Sequence, residues 1–457
     1  MYRFRMMLSS FLLLSFSAVP AGSQSGSVPG QWVTTWAGAI QRFVEIPAYG
    51  GAMPAPEFRD AWLHGVLSNQ TVRIIVRSSL SGSRIRIRLS NAFGTHPLII
   101  GAAHIAAVPS GTAQIMNSAA ASSAAVSRGV GNSPSIVRLV IPDQDKEIAG
   151  TDRMILFGGR PSVIIAPGET AISDPMDFET RGAGFLAVSL YLPNKTEPAT
   201  VVGSATTASV FQGDATAMAS ETSVLQRGPA RGSLWLSSVE VFGSAESTGI
   251  MIIDDDSRWR DGLSPGAGWQ VPLMDRLLSN GGSNRFAVLN SSMNDCPLIG
   301  NCRPTAVERI QEAARNQEGV KWVILATGFD DILNASYDSG VLGQAPLKTT
   351  VEDVIATLRE IIAEAHAAGL RITGVTYPPF FGTPRYTEKG DAMREAVNEW
   401  IRAGGAFDAV ADFDRAVRDP NYPSQRQSLF VGENPAFLGN LGFQAMANSI
   451  DASVLTR

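Results

Sequence analysis

The stretch STGIMIIDDDSRWRDG, residues 247–262, ends a short apolar run in Asp254, Asp255 and Asp256, followed at once by Ser257. A serine at the carboxyl end of a buried strand is how an α/β enzyme presents a nucleophile. Its hydroxyl is a poor nucleophile unless a neighbouring base takes the proton, and losing that base costs on the order of a millionfold. Two more polar clusters follow apolar runs further along: Asn290 to Asp295, and Thr327 to Asp331. The chain has four histidines, of which His64, His96 and His104 fall in the first half. The fourth, His366, lies on an amphipathic helical pattern and is expected to be structural, against a face of the sheet and away from the strand ends.

Asp254, Asp255 and Asp256 could replace an imidazole only if crowding of like charges raised a carboxyl pKa. A histidine reaching over from the first half is the other route, against the commoner case of locally satisfied histidines. Asp254, Asp255, Asp256, Asp295, Asp330 and Asp331 at one cleft would also be hard ligands for Ca²⁺ or Mg²⁺. No loop has the spacing of such a site, so neither metal nor cofactor is expected. Helix capping with solvated remainders is a second reading of these aspartates. A third is recognition of sugar hydroxyls or a cationic ligand, with Trp259, Trp269 and Phe329 as stacking surfaces; all three rings fit packing equally well.

Two textures position these residues. Residues 31–245 alternate apolar and polar positions in short bursts such as TVRIIVRSSL, SRIRIRLSNAFG and GFLAVSLYLP, bounded by Gly, Pro, Asn and Ser. Arg84, Arg86 and Arg88 alternate with Ile85, Ile87 and Leu89, giving one wet and one dry face. This half reads as a jelly-roll-like β-sandwich, with NSAAASSAAVSRGVGNS as an exposed loop. Over residues 248–457 the runs GIMII, RFAVLN, VKWVILA, LRITGVTY and AFDAVADF are continuous and apolar, as buried parallel strands are. Helical stretches separate them; Val351, Val354, Ile355, Leu358, Ile361, Ile362 and Ala365 make one apolar stripe, ended by Gly369. Alternating strands and helices predict a doubly wound, flavodoxin-like α/β domain with its ligands at the carboxyl ends of the strands.

At 457 residues, 44% hydrophobic and 17% charged, the chain fits two globular domains. A net charge of −5 offers no basic surplus for a nucleic-acid backbone. Residues 1–23 read as a cleavable signal peptide: arginines, then MMLSSFLLLSFSAV, then VPA or AGS. A periplasmic or secreted protein without a stable membrane anchor is expected. The two cysteines, Cys296 and Cys302 in CPLIGNC, are then expected to form a disulfide.

The carboxy-terminal half resembles the SGNH (GDSL-type) hydrolases, exported esterases acting on acyl esters of lipids and carbohydrates. It is most similar to the bacterial branch with a β-rich amino-terminal domain, on SRIRIRLSNAFGTHPLIIGAAHIA, GGRPSVIIAPG, TPRYTEKGDAMREAVNEWIRAGGAFDAVADFDRAVRDP and GFQAMANSID. The resemblance makes Ser257 the nucleophile position, but Asp255 replaces the glycine of Gly-Asp-Ser, and the bulky Arg258 and Trp259 follow. In the second block Ser292 replaces an oxyanion-hole glycine, keeping a backbone donor. In the third, GFDDI puts Asp330 where the family has an asparagine amide. Losing one such donor costs about 3 kcal/mol, and a carboxylate there opposes the oxyanion. The Asp-x-x-His-Pro block becomes SLFVGENPAFLGNLGF. Aligned on its proline, Val431 and Asn434 stand for the acid and the base; aligned from Gly442-Phe443, Asn434 and Phe437 do.

The expected function is therefore a catalytically degenerate family member that binds a carbohydrate or acylated glycan, with Asp255, Asp256, Trp259, Asp295, Phe329 and Asp331 lining the cleft. An esterase or deacetylase using Ser257 with a non-standard base is the alternative, and a structural role in envelope or exopolysaccharide assembly a third.

Overall fold

The computed structural model describes residues 30–42, 66–108, 148, 150–203, 206–217, 224–230, 233–255, 268–279, 284–293, 296–300, 302–336, 349–432 and 438–456. The leader, the loop NSAAASSAAVSRGVGNS, His64, Asp256, Ser257, Trp259, Asp295, Asn434 and Phe437 lie outside them.

The amino-terminal half is strand-rich. Its principal strands are β1 (Gly30–Ala37), β2 (Gln70–Arg77), β3 (Gly82–Ser90), β4 (Ala102–Val108), β5 (Phe185–Leu192), β6 (Thr206–Gln212) and β7 (Leu236–Ser244). One five-stranded antiparallel sheet runs β1-β7-β3 and on to Met176–Thr180, with Thr170–Ile172 also on β3. A six-stranded sheet runs Val224–Ala230, β6, β2, β5, β4, Arg153–Met154. Val33, Ile85, Ile87, Leu89, Val239 and Val241 from the first sheet join Val72, Ile74, Val76, Ile105, Val188 and Leu190 from the second in one buried cluster.

The arginine row of β3 departs from the expected wet face. Arg86 and Arg88 are only half-buried and pair with Glu240, which is fully buried (Arg86 Nε to Glu240 Oε2, 2.6 Å). Arg86 also lies 4.4 Å from the centre of the Trp32 ring. A buried carboxylate needs partners, and Glu240 on the neighbouring strand recruits two of the arginines that alternation alone assigns to water.

The carboxy-terminal half has five parallel strands: β8 (Thr248–Asp254), β9 (Phe286–Asn290), β10 (Val320–Ala326), β11 (Arg371–Val375) and β12 (Ala409–Ala411). Their order is β9-β8-β10-β11-β12, so the chain reverses direction across the sheet between β8 and its two neighbours. The helices are α1 (Gln270–Leu278), α2 (Ala306–Asn316), α3 (Phe329–Ser336), α4 (Val351–Ala367), α5 (Glu388–Ala403), α6 (Phe413–Val417) and α7 (Asn440–Ser449). α1 and α6 pack on α7, whereas α2 packs on α4, α4 on α5, and α5 on α3. In α4, a capping box at Thr350 and Asp353 satisfies the first turn, and Gly369 ends the helix at φ +75°. Val354, Leu358, Ile361, Ile362 and Ala365 of the stripe are buried.

The two halves share packing. Ala287 and Leu289 of β9 belong to the amino-terminal cluster, and β1 packs along β9. An edge strand leaves backbone donors unpaired; here the Val288 N–H donates to Ser79 Oγ at 3.0 Å, and Thr34 N–H donates to the Glu318 carbonyl at 2.9 Å. Ser79 Oγ in turn donates to the Thr35 carbonyl at 2.6 Å. Ser79→Ala leaves the Val288 N–H without its acceptor, while the Thr35 carbonyl keeps the Ser79 N–H at 3.3 Å. The substitution should lower unfolding stability by about 1–3 kcal/mol in a urea titration; a cost near zero would mean the edge of β9 is satisfied in some other way.

Candidate functional site

The site is built at the carboxyl ends of β8, β9 and β10, where the chain reversal leaves room between diverging connections. The ladder continues past the strands: Ser291 N–H donates to the Ile252 carbonyl at 2.8 Å and Met293 N–H to the Asp254 carbonyl at 2.9 Å. That brackets Ser292 beside the end of β8. Thr327 and Gly328 follow β10 on the other side.

Asp254, Asp255, Asp330 and Asp331 are all 0% exposed, so the expectation of solvation is corrected for these four, while Asp255 accepts the Asp330 N–H in the first turn of α3. Asp254 Oδ2 accepts from Trp269 Nε1 at 2.8 Å and Gln270 Nε2 at 2.6 Å, both at the start of α1. Trp269 is buried and meets Phe413 edge to face, so it packs rather than stacks on a ligand. Asp255 Oδ2 accepts from Gly328 N–H at 3.0 Å and Asp330 N–H at 3.3 Å, while its Oδ1 has no hydrogen-bond partner among the described residues. Burial, then the charges of Asp330 and Asp254, push this carboxyl well above the usual carboxylate range.

Asp331 spends both oxygens on one loop. Leu298 N–H donates to Oδ2 at 2.7 Å and Ile299 N–H to Oδ1 at 2.8 Å. Burial raises its pKa to about 7 against the pull of these donors. The loop is closed by the Cys296–Cys302 disulfide, as the spacing predicts. Gly328 has φ +111°, and a Cβ there would lie 2.7 Å from Leu298 Cδ1, so only glycine fits between this loop and the β10 end. Phe329 is 3% exposed and packs on Tyr377 and Phe380 at ring-centre distances of 5.8 and 5.6 Å. Asp255, Phe329 and Asp331 thus sit beneath the surface, which corrects the cleft-lining role expected of them.

The two oxyanion positions fare differently from expectation. Ser292 N–H donates to Asn290 Oδ1 at 3.0 Å, so the donor expected to survive the loss of glycine is already engaged. Asp330 presents a buried carboxyl group where the resemblance implies a carboxamide, and its N–H is held by Asp255. In the fourth block, Val431 bridges to Leu438 and the Gly439 N–H donates to the Phe430 carbonyl at 2.8 Å.

No described histidine substitutes for the base. His96 is exposed and bonds Thr95, and His104 on β4 bonds Asp152 Oδ2 at 2.9 Å. His366 bonds Asp408 Oδ2 at 2.9 Å, and that carboxylate also accepts the Ile372 N–H. Ile372 lies in the first residues of β11, so His366 stands toward the amino ends of the strands, away from the carboxyl ends that carry the site.

Three residues to which the sequence assigns no role matter here. Arg309 of α2 is 3% exposed and donates from Nη1 to the Ser291 carbonyl at 2.7 Å. Burial lowers its pKa to about 10, opposed by the nearby Asp255 and Asp254. Its signal was a charge on the apolar face of Ala306, Ile310 and Ala313. Asn290 engages the amide two residues on, a turn habit of asparagine visible in the sequence. Tyr377 donates its hydroxyl to the Thr327 carbonyl at 2.9 Å, and burial holds that hydroxyl protonated. No three carboxylate, histidine or cysteine side chains converge as a metal centre among the described residues.

A parallel sheet with its polar side chains gathered at the carboxyl ends of its strands defines an α/β domain. The sequence model of the GDSL-like lipase/acylhydrolase family matches residues 256–437, which supports an SGNH/GDSL hydrolase family for this domain. Solved structures similar to it include LAE5, an α/β hydrolase from the metagenome of Lake Arreo, at 18% identity over 46% of this chain and 95% of that one, with a TM-score of 0.35. Axe2, an acetylxylan esterase from Geobacillus stearothermophilus, is 16% identical over 45% of this chain and 93% of its own, with a TM-score of 0.32. Both are likenesses of fold alone. No curated protein matches the chain by sequence.

The raised carboxyls give a signed pH dependence. Unfolded aspartates ionise near pH 4, so between there and neutrality the fold holds protons on Asp255 and Asp331 that the unfolded chain has released. Their contribution to stability is present below that window and is lost as pH rises through it. In an Asp255→Asn variant the carboxamide oxygen can still accept the Gly328 and Asp330 N–H groups, but the side chain cannot ionise. Asp255→Asn should therefore be relatively more stable, compared with wild type, at pH 8 than at pH 4 in chemical denaturation; an equal difference at both pH values would place the Asp255 pKa in the ordinary range.

Proposed function

We propose that this chain is an exported SGNH/GDSL hydrolase-like protein that keeps the scaffold and a ligand-recognising cleft but not serine-dependent ester hydrolysis. The ligand class in this reading is a carbohydrate or acylated glycan. The amino-terminal sheets form a sandwich, and the two helix groups cover the two faces of a doubly wound sheet.

One observation carries the reading: the oxyanion machinery is turned inward. The Ser292 N–H is held by Asn290, and a buried carboxyl group stands at the Asp330 position, where the resemblance implies a carboxamide donor. Preorganised donors aimed at the developing oxyanion are the largest single contribution in acyl transfer, and donors already bonded inside the protein supply none of it. The described histidines add support, since each is bonded away from the strand ends that carry the site. For the ligand, Phe381 and Tyr422 are 47% and 63% exposed on neighbouring loops beyond β11 and α6, joined by Phe381 N–H to the Ser424 carbonyl. Exposed rings on tied-down loops offer flat apolar faces of the kind sugars stack on.

Asp255 favours a second reading. A carboxyl with a raised pKa and an unpaired oxygen, two residues before Ser257, has the protonation behaviour wanted of a replacement base. In that reading turnover depends on Ser257 and rises with pH as Asp255 ionises.

Hydrolysis of p-nitrophenyl acetate and release of acetate from acetylated xylan separate the two. The wild-type protein and Ser257→Ala are expected to show the same rate on both substrates. An activity that Ser257→Ala abolishes, and that climbs with pH, would overturn the non-catalytic reading in favour of the second.

A further inference from the structure

We propose that the Cys296–Cys302 disulfide is a redox-sensitive lock on the candidate site, acting through Leu298 and Asp331 on the segment that carries Gly328 and Asp330. The route consists of contacts already described, taken in order. The disulfide closes a loop whose Leu298 and Ile299 N–H groups are the donors to the buried Asp331 carboxyl. The same loop lays the Leu298 side chain over Gly328, in the space a Cβ would need. Gly328 and Asp330 in turn donate their N–H groups to Asp255. One covalent closure thus fixes two contacts on the segment following β10, and that segment fixes the carboxyl that follows β8.

The ends of the loop differ in what else holds them. Cys296 is 2% exposed and packs with Met293 and Ala39, next to the Met293 N–H bond to Asp254. Cys302 is half-buried, and the capping box at Thr305 and Glu308 begins just beyond it. Reduction leaves both ends anchored but frees the residues between them. Two electrons and two protons come from an external dithiol, which leaves as its own cyclic disulfide, and two cysteine thiols remain. The freed loop then holds Asp331 only by two backbone hydrogen bonds in competition with water, each of modest net value. The lock concerns the geometry around Asp255 and Asp330 and does not depend on whether Ser257 turns over an ester.

Amide hydrogen exchange resolved to single residues, on the full-length protein with and without dithiothreitol, tests this. Leu298, Ile299, Gly328 and Asp330 should all exchange at least tenfold faster after reduction, while Ile250 to Ile253 in β8 stay as protected as before. Faster exchange at Leu298 and Ile299 with Gly328 and Asp330 unchanged would overturn the proposal, because the lock would not reach the site. Equal acceleration in β8 would overturn it too, by making the disulfide a global staple. Asp331→Asn in the oxidised protein should accelerate Gly328 and Asp330 without any reductant; no change there would remove Asp331 from the route.

Discussion

Four carboxyl side chains cut off from water at the end of a parallel sheet form the constraint from which the site follows. A desolvated carboxylate must find donors, a counter-charge or a proton. Three of these aspartates meet the demand with different donors. Asp254 takes the indole and amide donors of α1, Asp331 takes two backbone donors from the disulfide loop, and Asp255 takes the amides of Gly328 and Asp330. Arg309 is the buried cation close enough to moderate Asp254 and Asp255. What donors leave undone, protons complete, which is why burial moves Asp255 and Asp331 upward.

The consequence for chemistry is a matter of donor direction. An acyl-transfer site needs N–H groups that point at empty space until the oxyanion forms. In the proposed reading Asn290 gives the Ser292 amide a permanent acceptor, and a buried carboxyl group replaces the third block's carboxamide donor. Hydrogen bonds that stabilise the fold at these positions are withdrawn from any transition state. In the proposed reading the scaffold, the glycine at φ +111° and the disulfide loop stay in place without the polarity that ester hydrolysis requires.

Sequence patterns reached the scaffold more easily than the contacts. The stripe of α4 and the apolar runs of β8 to β12 are local periodicities, and local periodicity survives into the structure whatever packs around it. The disulfide was legible because both cysteines lie within one short loop. Burial of Asp255 and Asp331 was not, since it depends on amides from residues 32 to 75 positions away in the chain. The same holds for His366, whose partner Asp408 is 42 residues on, and for the arginines of β3, recruited by Glu240 from a strand more than 150 residues later. Arg309 and Asn290 stand between these cases: a charge on an apolar helix face and an asparagine two residues before a needed amide are readable signals that call for a partner without naming it.

Direct observation of the Asp255 carboxyl decides most. Carbon-13 NMR of the aspartate Cγ atoms across pH 3 to 9, compared between wild type and Asp255→Asn to assign the resonance, follows its ionisation. The expected result is a carboxyl that stays protonated well past the point, about pH 4, at which ordinary aspartates ionise. A resonance that titrates near that ordinary value would contradict the burial and crowding on which the inward-turned site rests.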